Sequence, residues 1–217
     1  MRSLRSALLV AALLAIALPG MATAAKPAAP GFLPANAHPL GHSLTELATA
    51  WTLWGFGTSD DNPLVDVRCE QSDVDSRIWF LPVSLGGEWE ATCDVPRGSF
   101  LVLFAAGNEC SNVEASPYFG EDEAGLRDCV DERLGDVGLV EVSSEGVATT
   151  NVDSYLVTTD MVTLPPDNLL NIDEALSMTE GWFLVIRPLS PGEHVFRAYA
   201  EFSTGFIAGI TYTINVE

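Results

Sequence analysis

Short apolar runs separated by turn residues dominate the pattern of residues 78–106. Residues 78–83 are rich in aromatic and β-branched side chains, residues 88–95 alternate polar and apolar side chains, and residues 100–106 are continuously apolar. Each run has the length of a strand rather than that of a helix. The continuously apolar run predicts a central strand that is covered on both faces and ends at Asn108.

A glycine pair, Gly86 and Gly87, lies between the first two of these runs. Two glycines suit the positive φ angles of a two-residue hairpin turn. With this pair at the centre of the turn, Phe80 lies opposite Cys93, and the apolar side chains of both strands collect on one face. The pattern therefore predicts an antiparallel hairpin around the glycine pair.

Two segments carry the signals of helices. Ser43 and Glu46 have the spacing of a capping box, which predicts a helix over residues 44–54. Its apolar side carries two tryptophans, which we interpret as core residues rather than as a sugar-binding platform. Residues 121–134 begin with acidic side chains, which the helix dipole favours, and they predict a second helix with Cys129 on its inner side.

The chain after residue 136 has the pattern of short strands. They are predicted over residues 137–142, 155–157, 161–164, 182–186, 195–202 and 206–216. Residues 171–178 predict at most a short helix. Many short strands with turns between them are typical of a sandwich. The sequence therefore predicts a mainly β fold, an antiparallel β-sandwich with two short-to-medium helices.

The N-terminal region has the pattern of an export signal. Arg2 and Arg5 precede an apolar run that ends in small residues, which predicts a signal peptide over residues 1–25. Residues 26–41 are rich in Pro and Ala and predict an extended leader that tethers the domain or drapes over it. Residues 42–217 then form a single β-sandwich domain. No later stretch approaches the roughly 18 apolar residues of a membrane span, so we expect a secreted, periplasmic or cell-envelope protein.

The composition is strongly acidic, with 30 Asp and Glu against 10 Lys and Arg and a formal net charge of −20. Such a field repels nucleic acids and anionic membranes, so neither is expected as a partner. The acids are scattered along the chain, as solubility or a salty habitat would explain. The alternative is calcium binding, for which the acidic turn of Asp60, Asp61 and Asp66 is a candidate, although the spacing of an EF-hand is missing. We expect no other cofactor.

The sequence contains four cysteines and no Cys-x-x-Cys pair. In an exported chain this predicts two disulfides rather than a zinc site, and three pairings are possible. We favour the pairing in sequence order, Cys69 with Cys93 and Cys110 with Cys129. Each bond would then close a loop of about 20 to 25 residues and contribute about 3 kcal/mol to stability.

Several short motifs resemble those of a family of exported bacterial proteins of uncharacterised function. The likeness spans most of the chain after the signal peptide and supports one exported domain and the pairing of cysteines in sequence order. It implies no reaction, ligand or catalytic residue. The motifs are Trp51-Thr52-Leu53-Trp54, Asn62-Pro63-Leu64-Val65-Asp66, Trp79-Phe80-Leu81, Cys93-Asp94-Val95-Pro96-Arg97-Gly98 and Leu189-Ser190-Pro191-Gly192-Glu193-His194.

Catalytic motifs are hard to find in this chain. Gly41, His42 and Ser43 give the nearest match to the nucleophile elbow of serine hydrolases, but the closing glycine is missing and a helix follows. We therefore interpret Ser43 as a helix cap. His38 and His42 have the spacing of two metal ligands on a helix, but Pro39 prevents that helix. We predict no catalytic residue, and the sequence leaves any metal site unknown.

Asn108, Glu109 and Glu114 are the candidate ligand-binding residues. They follow the end of the predicted central strand and lie beside one of the expected disulfides. Polar residues in loops on a rigid frame are often used for binding. We interpret the protein as a non-catalytic binding or envelope-associated module whose partner is an unknown protein or carbohydrate. The alternative is a secreted carbohydrate-active or other hydrolase that uses acidic residues, with calcium as its candidate cofactor.

Overall fold

A computed structural model describes residues 31–149 and 152–217. The predicted signal peptide and the first residues of the leader lie outside these ranges. No helix within them is long and apolar enough to cross a membrane.

Strands are the most abundant secondary structure in the described chain. The helices are α1 (Leu44–Phe56) and α2 (Glu123–Leu134), with short 3-10 turns at Pro39–Gly41 and Val152–Tyr155. The strands are β1 (Glu70–Gln71), β2 (Ile78–Phe80), β3 (Gly87–Val95), β4 (Phe100–Ser111), β5 (Val137–Ser144), β6 (Val147–Ala148), β7 (Leu156–Thr158), β8 (Val162–Leu164), β9 (Ala175–Ile186), β10 (Gly192–Phe202) and β11 (Ile207–Val216).

The strands form two sheets that pack face to face. The six-stranded sheet has the order β1-β2-β4-β9-β7, with β8 also paired to β9, and the five-stranded sheet has the order β3-β11-β10-β5-β6. Most pairs are antiparallel, but β2 pairs with β4 and β3 pairs with β11 in parallel. The predicted β-sandwich with two helices is confirmed.

The central strand lies where the continuous apolar run predicts it. β4 is buried through Ala106 and pairs with β2 on one side and β9 on the other. The strand does not end at Asn108, because a β-bulge between Phe104 and Ala106 lets the pairing with β9 continue to Ser111. The candidate residues Asn108 and Glu109 therefore lie on a strand and not in a loop.

The predicted hairpin around Gly86 and Gly87 is wrong. β2 and β3 belong to different sheets, so Phe80 is not paired with Cys93, and β3 pairs instead with β11. Both glycines have positive φ angles, 139° and 75°, and they carry the chain from one sheet to the other rather than back along the same sheet.

The backbone that precedes the glycine pair explains why no hairpin forms. Pro82 has no N–H to donate to a partner strand. The carbonyl oxygen of Leu81 accepts a hydrogen bond from Trp51 Nε1 at 2.9 Å, and the carbonyl oxygen of Pro82 accepts one from the Tyr212 hydroxyl at 2.7 Å. Because side chains and not a neighbouring strand donate hydrogen bonds to these carbonyls, the segment crosses from one sheet to the other.

The main core fills the space between the two sheets. Tyr212 and Phe196 of the five-stranded sheet face Leu103 and Leu184 of the six-stranded sheet, and all four are almost completely buried. The leader contributes Phe32, which is fully buried and packs edge-on against Phe196 at 5.7 Å between ring centroids. The segment from residue 31 thus drapes over the sandwich.

A second core lies under α1, on the outer side of the six-stranded sheet. The Trp51 ring is fully buried and lies 4.8 Å from the Phe104 ring, which stacks on Phe183 at 4.5 Å. Gly181 lies beneath this stack, and a Cβ there would approach the Phe104 ring to 2.5 Å. The interpretation of the tryptophan stripe as core is therefore confirmed for Trp51.

The capping box predicted at the start of α1 is present. The Ser43 hydroxyl accepts a hydrogen bond from the backbone N–H of Glu46 at 3.2 Å, and the Glu46 carboxylate accepts one from the backbone N–H of Ser43 at 2.7 Å. The hydrogen bonds that the Ser43 backbone N–H and hydroxyl donate to the Glu46 carboxylate lower the pKa of Glu46. The helix is capped by Gly57 and continues to Phe56, two residues beyond the predicted end at residue 54.

Replacing Ser43 by alanine should lower the free energy of unfolding by about 1 kcal/mol, because the backbone N–H of Glu46 at the start of α1 loses its hydroxyl acceptor. Urea denaturation followed by circular dichroism measures this change. Ser76→Ala, at an exposed turn position, is the matched control and should change stability by less than about 0.5 kcal/mol. Equal effects of the two substitutions would contradict the capping role.

Both predicted disulfides are present, in sequence order. Cys69–Cys93 links the segment before β1 to β3 and so joins the two sheets, whereas Cys110–Cys129 links β4 to α2. The predicted pairing of Cys110 with Cys129 thus attaches α2 to the central strand. Disulfides persist in oxidising compartments, which fits an extracellular protein.

The predicted short helix over residues 171–178 is wrong. β9 begins at Ala175 and pairs with β4 and β8, so half of the segment is strand. Asn171 adopts a positive φ of 56° in a turn, and the buried Asn168 side chain fixes this turn by donating hydrogen bonds to the carbonyls of Pro165 and Ile172. Pairing with two strands outweighs the weak helical pattern.

Candidate functional site

The three candidate residues do not lie on one side of the sheet. Side chains alternate along β4, so Asn108 and Glu109 point to opposite faces. Asn108 is paired with Glu180 and faces the sandwich interior, where its side-chain amide donates to the carbonyl of Arg133 at the end of α2, at 2.8 Å. This hydrogen bond holds the C-terminal end of α2, so Asn108 has a structural role.

Glu109 and Glu114 do come together, on the outer face of the six-stranded sheet. Their carboxyl groups are within hydrogen-bonding reach of each other. The Ser177 hydroxyl of β9 donates a hydrogen bond to Glu109 Oε1. We call Glu109 and Glu114 the carboxyl pair.

The local backbone explains how Glu114 reaches Glu109. The Ser111 hydroxyl accepts a hydrogen bond from the Glu114 N–H and donates one to Glu114 Oε2, both at 3.1 Å. Asn112 exchanges hydrogen bonds with the backbone of Leu176, its N–H at 3.0 Å and its side-chain oxygen at 2.9 Å. The Cys110–Cys129 disulfide fixes Cys110, the residue before Ser111. The turn after β4 is therefore held in place on both sides.

The carboxyl pair has unusual electrostatics. Burial, followed by the negative charge of Glu114, raises the pKa of Glu109 to about 9, and the hydrogen bond from Ser177 offsets only part of this rise. Glu109 therefore keeps its proton at neutral pH. A protonated carboxyl beside a second carboxyl can share that proton or exchange it for a cation.

Sequence analysis missed two polar residues beside this pair, Ser177 and Thr179 of β9. Thr179 lies directly opposite Glu109 in the strand register, and its side chain is completely buried. Among the described residues its hydroxyl has no hydrogen-bond partner. The available signal was the alternation of Ser177, Thr179 and Gly181 with apolar or large side chains, but the helix predicted for residues 171–178 concealed it.

The other sequence candidates have structural roles. In the acidic turn, Arg68 binds Asp61 and Asp66 at 2.6 and 3.0 Å, so the carboxylates there have a cation already. His194 lies at the start of β10 and contacts the Ser190 carbonyl at 2.9 Å. Within residues 31–149 and 152–217, no three His, Cys, Asp or Glu side chains are grouped as metal ligands.

A second feature is the outward side of the five-stranded sheet, which we call the open face. Both helices pack against the six-stranded sheet, while the outward side chains of β3 and β10 are largely solvent-exposed. Among the described residues, the face carries one guanidinium, that of Arg197, and many carboxylates. These belong to Glu88, Glu90, Asp94, Glu141, Glu193 and Glu201.

The centre of the open face is a fixed polar network. Arg197 donates to Glu88 at 2.8 Å and lies 4.7 Å from the centre of the Tyr199 ring, and the Tyr199 hydroxyl donates to Glu201 at 2.7 Å. Gly209 lies beneath, where a Cβ would come within 3.1 Å of the Tyr199 ring. The Tyr199 ring therefore lies directly over the sheet backbone at Gly209.

The comparisons with known proteins add no relative. No protein-family model matches this chain, and no curated protein matches it either. The interpretation of function therefore depends on the geometry of the open face and of the carboxyl pair.

Proposed function

We propose that this protein is an exported, non-catalytic binding module whose open face binds a basic protein surface. The observation that carries the proposal is the open face itself, a sheet surface that neither described helix covers and on which, within residues 31–149 and 152–217, carboxylates greatly outnumber the guanidinium of Arg197. Charge complementarity of this kind steers association and disfavours acidic partners.

The rigidity of the open face supports this role. β10 and β11 are paired without interruption from Gly192–Val216 to Glu201–Ile207, and β3 is paired with β11 along its whole length. A surface built on paired strands loses little conformational entropy when a partner docks. Tyr199 and Arg197 at its centre are the residue types that contribute most to protein interfaces.

The alternative of a secreted hydrolase is favoured by one observation, the raised pKa of Glu109. Glycosidases separate their two carboxyl groups by about 5 Å or more, so that sugar or water fits between them. Glu109 and Glu114 are in hydrogen-bonding contact. This spacing fits the hydrolase poorly, and we rank it second. Hydrolysis of a chromogenic polysaccharide by the wild type, lost in Glu109→Gln, would reverse that order.

Substituting Glu90, Glu141 and Glu193 together by glutamine should weaken binding to a basic probe by about five- to tenfold, because three attractive charges on the open face are lost. None of the three takes part in the Arg197 network. A lysine-rich peptide of about 20 residues, measured by calorimetry at roughly 0.15 M salt to screen distant charges, is the probe.

The matched control is the variant E121Q/D128N/D131N, which removes three exposed acids in and beside α2. It has the same net charge as the open-face variant, and we expect its affinity for the peptide to change less than about twofold. Equal weakening by both variants would mean that the peptide responds to net charge alone, and the proposed binding face would be wrong.

A further inference from the structure

Oxygen-bearing side chains from two neighbouring strands converge on the outer face of the six-stranded sheet. Glu109 is paired with Thr179 and Ser111 is paired with Ser177, and all four side chains point to the same face because the residues alternate in register. Glu114 reaches this patch from the turn after β4. The patch contains carboxyl and hydroxyl oxygens and no nitrogen ligand.

Thr179 provides an independent sign that this patch binds a ligand. Its side chain is fully buried directly opposite Glu109, and its hydroxyl has no hydrogen-bond partner among the described residues. A buried hydroxyl without a partner costs about 1 to 3 kcal/mol, so native proteins usually satisfy it. A cation between Thr179 and the carboxyl pair would accept the lone pair of this oxygen.

We propose that Glu109, Glu114, Ser177 and Thr179 bind a divalent cation, and that calcium is the cation of best fit. Calcium takes six to eight oxygen ligands in flexible geometry, and carboxylates with hydroxyls and water supply them. Zinc prefers nitrogen and sulfur ligands, and magnesium demands a strict octahedron. Binding would displace the proton of Glu109, and the two carboxylates would then balance the charge of the ion.

The surroundings orient the proposed ligands. The Ser111 hydroxyl donates a hydrogen bond to the Glu114 carboxylate and accepts one from the Glu114 backbone N–H. Such supporting contacts fix ligand geometry at metal sites. With only two carboxylates the site is expected to be weak, with a dissociation constant of about 0.1 to 1 mM, the range of extracellular calcium modules.

Calorimetric titration of the wild-type protein with calcium chloride at pH 8, after chelator removal, tests the site directly. We expect one bound ion per chain and a melting temperature that rises with calcium concentration. Glu114→Gln should weaken binding at least tenfold, and Thr179→Val by severalfold, because each removes a ligand oxygen. The control is Glu121→Gln, which removes an exposed acid just before α2. This variant should bind calcium as the wild type does.

Two results would overturn the site. One is the absence of binding to the wild type at about 10 mM calcium, which would leave a carboxyl pair held together by a proton. The other is binding that survives Glu114→Gln unchanged, which would place the ion elsewhere. Circular dichroism of each variant confirms folding, and Thr179→Val, which replaces a hydroxyl by a methyl group of similar size, serves if Glu114→Gln is unstable.

Discussion

Replacing Trp51 by alanine is expected to lower the free energy of unfolding by about 3 to 5 kcal/mol, the cost of removing a large buried ring. The ring is fully buried between α1 and the six-stranded sheet, 4.8 Å from Phe104 and 5.7 Å from Phe183. Its indole also donates to the Leu81 carbonyl at 2.9 Å. For a domain of this size, the melting temperature should fall by about 10 °C, as calorimetry will show.

Two further variants divide this loss into its parts. Trp51→Phe keeps most of the ring contacts but leaves the buried Leu81 carbonyl unpaired, which should cost about 1 to 3 kcal/mol. Leu53→Ala, on the exposed side of α1, should change stability by less than about 1 kcal/mol. If Trp51→Ala destabilised the protein no more than Leu53→Ala, the result would contradict the packing of Trp51 in the core under α1.

The stability of the wild type should fall as the pH rises from 4.5 towards 9, through the contribution of Glu109. Burial and the charge of Glu114 raise the pKa of Glu109 from 4.5 to about 9 in the folded protein. Between these values the unfolded chain has already lost a proton that the folded protein retains, so rising pH favours unfolding. From pH 4.5 to pH 7 the loss should be roughly 2 to 3 kcal/mol.

Glu109→Gln removes this titration and is the variant that isolates it. Urea denaturation at several pH values, with chelator present, should show that the wild type loses stability relative to Glu109→Gln as the pH rises. Glu114→Gln should reduce the slope, because it removes the negative charge that helps to keep the proton on Glu109. Parallel pH curves for the wild type and Glu109→Gln would show that Glu109 titrates normally.

The proposed binding face and the proposed cation site are independent of each other. The open face lies on the five-stranded sheet, whereas the carboxyl pair lies on the outer side of the six-stranded sheet. Loss of calcium binding should therefore leave affinity for the basic peptide unchanged, apart from effects on stability. Measuring both ligands on each variant distinguishes failure of one proposal from failure of the other.

The candidate site was only partly accessible to sequence reasoning. Glu109 and Glu114 could be selected because they follow a buried strand beside a cysteine, and they do meet in the structure. Asn108 was grouped with them because the strand was expected to end there. Instead, a bulge after Phe104 and strand pairing that continues to Ser111 place Asn108 on the interior face. Ser177 and Thr179 join from β9, about 70 residues later, and local sequence does not specify such a neighbour.

Features of the fold that depend on local contacts or on burial could be predicted from the sequence alone. The capping box at Ser43 and Glu46 and the uninterrupted apolar run of β4 depend on contacts within a few residues or on burial itself, so each was predicted near its true position. The sandwich as a class followed from the number and shortness of such strands.

Strand partners were decided only by the tertiary structure. The glycine pair permits a tight turn but does not require one. Trp51 and Tyr212, far away in sequence on either side, take up the carbonyls of Leu81 and Pro82 and direct the chain into the other sheet. β3 then pairs with β11, more than 100 residues later. Because hydrogen bonding between strands joins distant segments, its partners are chosen by the packing of the whole chain and not by any local pattern.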